Sequence, residues 1–407
     1  MTTLPRAQTI RDAMRIIGTL PVPAPEVHTF PLARVVHRVL AKDIHAPFPV
    51  PGFVRSRLDG FAVRSADLEQ AAPDRPVDLC VTATVAAGTW PVPAVSEGCC
   101  VRIMAGAPLP EGADAVVGFE DSTPANDAQV RFAAPVRAGA ALGAADINAH
   151  EGELLAARGT RLTPVHTGVL ASVGTVNVPV YSRPRVAVLS TGSELLLAGM
   201  PPSLGKIFNS GQSMICGLLE EAGAIPLPCG IARDDADSIA QTMNLALRDN
   251  SMLITTGGVG NGDYDCIREA MHKAGAEILL AGGAFRPGGN FTLARCDNKY
   301  ILALSGAPGS ALIILHLLGI PLVRRLTFDS TWQVREADVL LAEVPARTPQ
   351  GLLPGTLSLE GGRALLHPMP QLALERQPMD LILPLEGTED LQELVATQRA
   401  VRAFLVR

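Results

Sequence analysis

Between about residues 183 and 325 one pattern recurs: a short apolar run rich in β-branched residues, a turn of Gly or Ser/Thr, then apolar positions at helical spacing. That alternation predicts a parallel α/β sheet. Arg185 to Leu189 reads as a buried strand followed by the turn Ser190-Thr191-Gly192-Ser193. Met252 to Thr255 reads as a second, followed by a glycine-rich turn that includes Gly257 and Gly258 and by a helix from about Asp265 to Ala274. Tyr300 to Leu304 reads as a third, followed by Ser305-Gly306-Ala307-Pro308-Gly309 and a helix from Ser310 to Leu318. Between the first two, Asn209 or Ser210 is placed to cap a helix running to Glu221. Sheets of this kind bind ligands outside the carboxyl ends of their strands, so these turns should line the pocket.

The flanking regions have a different rhythm. From 48 to 150 helical spacing is missing, and Pro and Gly punctuate short runs at Val81–Val85, Val92–Val95, Ala115–Phe119 and Val130–Val136. This predicts a separate β-rich module. From 331 onward, runs at Val339–Val344, Ala364–His367, Leu381–Leu385 and Ala400–Val406 predict a small β-barrel-like domain. The segments before and after the β module read most simply as one domain that the module interrupts. The expected division is therefore 1–47 with 147–180, an inserted module at 48–146, an α/β domain at 181–328 and a C-terminal β domain at 329–407.

Composition narrows the class. The chain has 407 residues, 47% hydrophobic and 18% charged, with 34 Lys+Arg against 40 Asp+Glu for a net charge of -6. A chain so apolar can fill several cores, and it has no global basic field to capture nucleic acid. Seven cysteines without a C-x-x-C pair argue for reduced, buried thiols and a cytoplasmic setting. The amphipathic N-terminus, with Arg6, Arg11, Asp12 and Arg15 among Ile10, Met14 and Ile17, is not a signal peptide. Tyr300 to Val323 is uncharged, but Gly306, Pro308, Gly309, Gly319 and Pro321 break it into strand, turn and helix, so no membrane span is expected.

Familiar nucleotide motifs fail. Gly199 to Lys206 has one residue too many for a P-loop, with Ile207 where a magnesium-binding Ser or Thr belongs, and the Gly258 turn lacks the last Gly of G-x-G-x-x-G. What is left is a set of turns whose N–H groups can cradle anions, next to Glu194, Asp263 and Asp265. Carboxylates beside an anion-binding loop suit a hard cation such as magnesium, whereas the structural alternative has them favouring helix N-termini.

Six segments together resemble one family. VPGFVRSRLDGFAVRSADL (Val50 to Leu68), RIMAGAPLPEGADAVV (Arg102 to Val117), GTRLTP (Gly159 to Pro164), VAVLSTGSEL (Val186 to Leu195), TTGGVGNGDYD (Thr255 to Asp265) and LSGAPGSAL (Leu304 to Leu312) look like the molybdopterin molybdenumtransferases, MoeA and the gephyrin E domain. The resemblance implies a four-domain homodimer that takes adenylylated molybdopterin and molybdate, cleaves the adenylate with magnesium to release AMP, and inserts molybdenum into the dithiolene. It implies Asp59, Glu194 and Asp265 as catalytic. It implies Asp263, Asp265, Glu194 and Asp146 as metal-holding, and Ser190, Thr191, Gly192, Gly257, Gly258, Arg286, Pro287, Ser305, Gly306 and Pro308 as cofactor-binding. A molybdopterin adenylyltransferase or a recipient molybdoenzyme would be its partners. The chain departs from the family pattern at Ala105, Ser193, Asn209, Gly211, Gly260, Asn261, Gly289 and Ala307, mostly by losing polar side chains, and the family's C-terminal Ser-rich run has no counterpart in Met369 to Asp380. The departures set a second expectation beside the enzyme: an impaired member that binds molybdopterin as a carrier or assembly factor.

Overall fold

The computed structural model describes residues 5–260, 266–347, 350–385 and 390–406. The chain forms two compact units: Met1–Lys42, Arg158–Thr163 and Asn177–Arg407 make the first, and Asp43–Ala157 with Pro164–Val176 the second.

The first unit is built on a six-stranded sheet in the order Ile225–Ala232, Arg185–Thr191, Met252–Thr256, Lys299–Leu304, Phe291–Cys296, Glu277–Leu280. The first four strands run parallel, Phe291–Cys296 runs antiparallel to them and Glu277–Leu280 antiparallel to it, so the sheet is mixed with one reversed strand. Strands covered on both faces need apolar residues at every position. Met252–Thr256 is buried throughout, and in Arg185–Thr191 only the first residue is exposed. One face (Val188, Ile254, Leu302) packs on the helices Ile10–Thr19, Ser210–Glu221 and Pro308–Ile314 with its continuation to Leu326. The other face (Ala187, Leu189, Leu253) packs on Ala236–Arg248 and Ile267–Lys273. The apolar stretch after Tyr300 resolves as expected into strand, turn and helix. Its helix, Pro308–Leu326, is long and apolar enough to cross a membrane, but 78% of its apolar window is buried in this core.

The same unit ends in a closed five-stranded barrel, Arg335–Leu341, Arg363–Pro368, Leu352–Glu360, Leu381–Pro384 and Val401–Leu405, filled by Val339, Leu353, Leu366, Leu383 and Ala403. The second unit carries its own six-stranded sheet, ordered Ala115–Gly118, Gly60–Val63, Cys99–Ile103, Val77–Val85, Gln129–Phe132, Thr123–Asn126. Of the runs expected there, Val92–Val95 is not a strand. All seven cysteines are free, yet only Cys100 is buried; its burial, with Cys80 and Cys99 nearby, pushes its thiol up to about 12.

Candidate functional site

The three turns expected to line a pocket meet at the carboxyl edge of the parallel strands. The second presses on the first: a Cβ on Gly257, whose φ is +93°, would lie 2.4 Å from the Thr191 carbonyl oxygen. Only glycine allows that approach. A Cβ on Gly306 would sit 3.5 Å from Gly257 Cα, so the third turn stacks on the second. Ser190, Thr191, Gly192, Gly257, Gly258, Ser305, Gly306 and Pro308 therefore belong to one backbone assembly.

Beneath it the hydroxyl groups satisfy one another. Thr191 Oγ1 donates to the Thr256 carbonyl at 3.2 Å, Thr256 Oγ1 to Ser190 Oγ at 3.1 Å, and Ser190 Oγ to Asn209 Oδ1 at 3.1 Å. Asn209 Oδ1 also accepts from the Gln212 N–H, capping Ser210–Glu221 as expected. Ser190 and Thr191 are buried, so their hydroxyls hold the strand ends together.

Glu194 does not open a helix. It sits exposed in a turn closed by the Leu195 N–H donating to the Gly192 carbonyl at 3.2 Å, and the chain continues into the two-residue strand Leu195–Leu196. The turn is tied down on both sides: Ser193 N–H and Oγ both donate to Asp234 Oδ2, at 2.9 and 3.0 Å, and Lys206 Nζ donates to the Ser193 carbonyl. Asp263 and Asp265 lie outside the described residues. Among the described residues no three metal-ligating side chains converge.

Beside the turns lies a cleft of about 260 Å³ lined by Arg286, Pro287, Asn290, Ser305, Ser310 and Gln350 with the backbone of Gly288 and Gly289. Its floor is fixed by the Arg286 N–H donating to the Gln350 carbonyl at 2.5 Å and the Leu352 N–H to the Arg286 carbonyl at 3.0 Å. One guanidinium with hydroxyl and amide groups around it is a combination that can hold an oxyanion. Asn290 and Ser310 were missed from sequence although each lies within five residues of a named position. Gln350 was missed because it arrives from the barrel and no local pattern marks it.

In the second unit, Asp59 is exposed just before the strand Gly60–Val63, and its Oδ1 accepts from the Ala105 N–H at 2.8 Å. Asp146 Oδ2 lies 2.7 Å from His150 Nδ1, a partner the sequence had not suggested.

Residues 6–174 match the MoeA N-terminal region (domain I and II), and residues 187–325 match the probable molybdopterin binding domain. The molybdopterin molybdenumtransferase of Bacillus subtilis is 37% identical over 304 residues, 74% of this chain and 69% of that protein. Its namesake from Haemophilus influenzae is 30% identical over 324 residues, 78% of this chain and 77% of that one. A crystal structure of the molybdopterin biosynthesis MoeA protein of Pyrococcus horikoshii superposes with a TM-score of 0.78 at 25% identity, covering 99% of this chain and all of the other (100%).

Proposed function

The chain belongs to the MoeA family, the molybdopterin molybdenumtransferases of molybdenum cofactor biosynthesis, and from that premise we propose that it cleaves adenylylated molybdopterin, releases AMP and joins molybdenum to the dithiolene. The observation that carries this reading is the convergence of three backbone turns at the sheet's carboxyl edge, next to a cleft whose cation is Arg286. A phosphoanhydride and an oxyanion both call for N–H donors and positive charge arranged before the substrate arrives. Ser190, Thr191, Gly192, Gly257, Gly258, Ser305, Gly306 and Pro308 form the pterin-phosphate side, and Arg286 with Pro287 the oxyanion side.

Carboxylate oxygens are the hard donors that magnesium prefers. In this reading Glu194, Asp263, Asp265 and Asp146 are the metal-holding acids, and bound magnesium supplies positive charge against the phosphate. Asp59, with its carboxylate held by a backbone N–H, is assigned to the catalytic group together with Glu194 and Asp265. The four-part division, 1–47 with 147–180, 48–146, 181–328 and 329–407, is proposed as the functional layout. The protein is proposed to act in the cytoplasm as a homodimer. Leu197, Met200, Leu204, Ile207 and Phe208 lie exposed along one short segment, the kind of apolar surface that a subunit covers. Its partners would be the enzyme class that adenylylates molybdopterin and the apoenzymes that receive the product.

The test supplies adenylylated molybdopterin, magnesium and molybdate to the purified chain and follows AMP. Magnesium-dependent AMP release is expected, strongly reduced in Asp59→Asn. Absence of release, with the pterin still retained on gel filtration, would instead establish the carrier.

A further inference from the structure

The geometry points to Asp234 as a positioning residue: it sets the Gly192–Glu194 turn through Ser193 and so aims the Glu194 carboxylate, without touching the substrate itself. The inference rests on the proposed role of Glu194.

Asp234 and Asp235 follow the edge strand Ile225–Ala232, and the two divide their work. Asp235 Oδ2 accepts from the Ser238 N–H at 2.8 Å and caps the helix Ala236–Arg248. Asp234 reaches across 41 positions instead, and a single oxygen, Oδ2, accepts both donors of Ser193. On the far side of the turn the Ile207 N–H donates to the Glu194 carbonyl at 2.9 Å, so the side facing the sheet depends on Asp234. The turn's internal closure is one bond, Leu195 N–H to the Gly192 carbonyl at 3.2 Å, and the Gly192 N–H reaches the Ala232 carbonyl only at 3.4 Å. Lys206 grips the Ser193 carbonyl from the opposite side, so Ser193 is clamped at N–H, hydroxyl and carbonyl. Glu194, the next residue, has its carboxylate folded back over Gly192, where a Cβ would meet Oε2 at 2.5 Å. A turn that places a carboxylate needs such clamping, because a displacement of about 1 Å at a reacting group can cost on the order of a hundredfold in rate.

Since one oxygen accepts both bonds, the amide oxygen of an asparagine can take its place, whereas alanine loses both. A residue acting by its charge, as a metal ligand or a field, would not be rescued by asparagine. Asp234→Ala, Asp234→Asn, Ser193→Ala and Glu194→Gln are compared in the full chain by AMP release against magnesium concentration, by magnesium binding in titration calorimetry, and by thermal melting. Asp234→Ala is expected to lower AMP release and weaken magnesium binding by about tenfold or more, Asp234→Asn to recover most of both, and Ser193→Ala, which keeps the N–H bond, to fall between. Equal damage from Asn and Ala, or no damage from Ala, would overturn the positioning role. If Asp234→Ala melts early, the ranking of Ser193→Ala below wild type decides the matter. An unaffected Glu194→Gln would instead refute the assignment of Glu194, a separate failure.

Discussion

Gly289 illustrates how a residue can be misjudged from sequence alone. In the sequence it reads as one of the positions where the family pattern has a polar side chain and this chain does not. In the structure a Cβ there would lie 2.1 Å from the Phe285 carbonyl oxygen and 2.8 Å from that of Gly283, so the loop has closed around the missing side chain. Any side chain placed there has to displace backbone. Gly289→Ala is expected to destabilise the protein by about 1–3 kcal/mol through overpacking, read as a lower unfolding midpoint in thermal denaturation. At two other departures the structure shows which atoms are used. Ala105 holds Asp59 by its backbone N–H, which any residue but proline supplies. Ser193 donates both its N–H and its hydroxyl to Asp234. Resemblance showed which positions had changed; only the fold shows which atoms those positions use.

At the scale of elements, legibility followed periodicity. RVAVLST, MLITT and four of the five barrel strands after 335 were readable because short buried apolar runs bounded by turn residues have few alternatives. Ile225–Ala232 was not, because IPLPCGIA carries two prolines. The sheet order explains them: this strand is at the edge, where a missing N–H is tolerated. Leu352–Glu360 escaped for the same kind of reason, with Pro354 and Gly355 interrupting a strand that only barrel closure stabilises. The first helix was legible as an amphipathic stretch, but its start is set by a capping box, Thr9 Oγ1 accepting from the Asp12 N–H while Asp12 accepts from Thr9. Those bonds from the Thr9 side chain and backbone hold the Asp12 carboxyl below its usual value, so this contribution is present above about pH 4 and is lost as pH falls through the depressed value. Thr9→Ala is expected to cost about 1 kcal/mol in chemical denaturation, with the difference from wild type shrinking below pH 4.

For the whole molecule, the sequence disclosed that the chain alternates between modules, since its rhythm changes near 48, 183 and 331. It could not disclose which distant segments share a core, because that depends on contacts with no local signature. Tyr300, fully buried, donates its hydroxyl to the Pro21 carbonyl, and Arg325 donates to that of Ile17. The exposed apolar residues between Leu197 and Phe208 carry a prediction at this scale. The solution mass, measured by light scattering, should be twice that of one chain, and Leu204→Glu with Phe208→Glu should shift it toward one; a wild-type monomer would refute the homodimer.

The way the first unit is assembled also bears on the order in which the protein can be made. Ile10, Ala13 and Ile17 of the helix Ile10–Thr19 share their core with Leu317, Leu318 and Leu322, partners that leave the ribosome long after them. At ribosomal speeds of about 5–20 residues per second, those partners follow roughly 15–60 seconds later. Throughout that interval the second unit can complete its own sheet from contiguous sequence, while the amino-terminal helix waits with its apolar face uncovered. That helix is thus exposed to chaperones and proteases during translation, and a truncated transcript that stops before residue 317 would leave its apolar face without these partners.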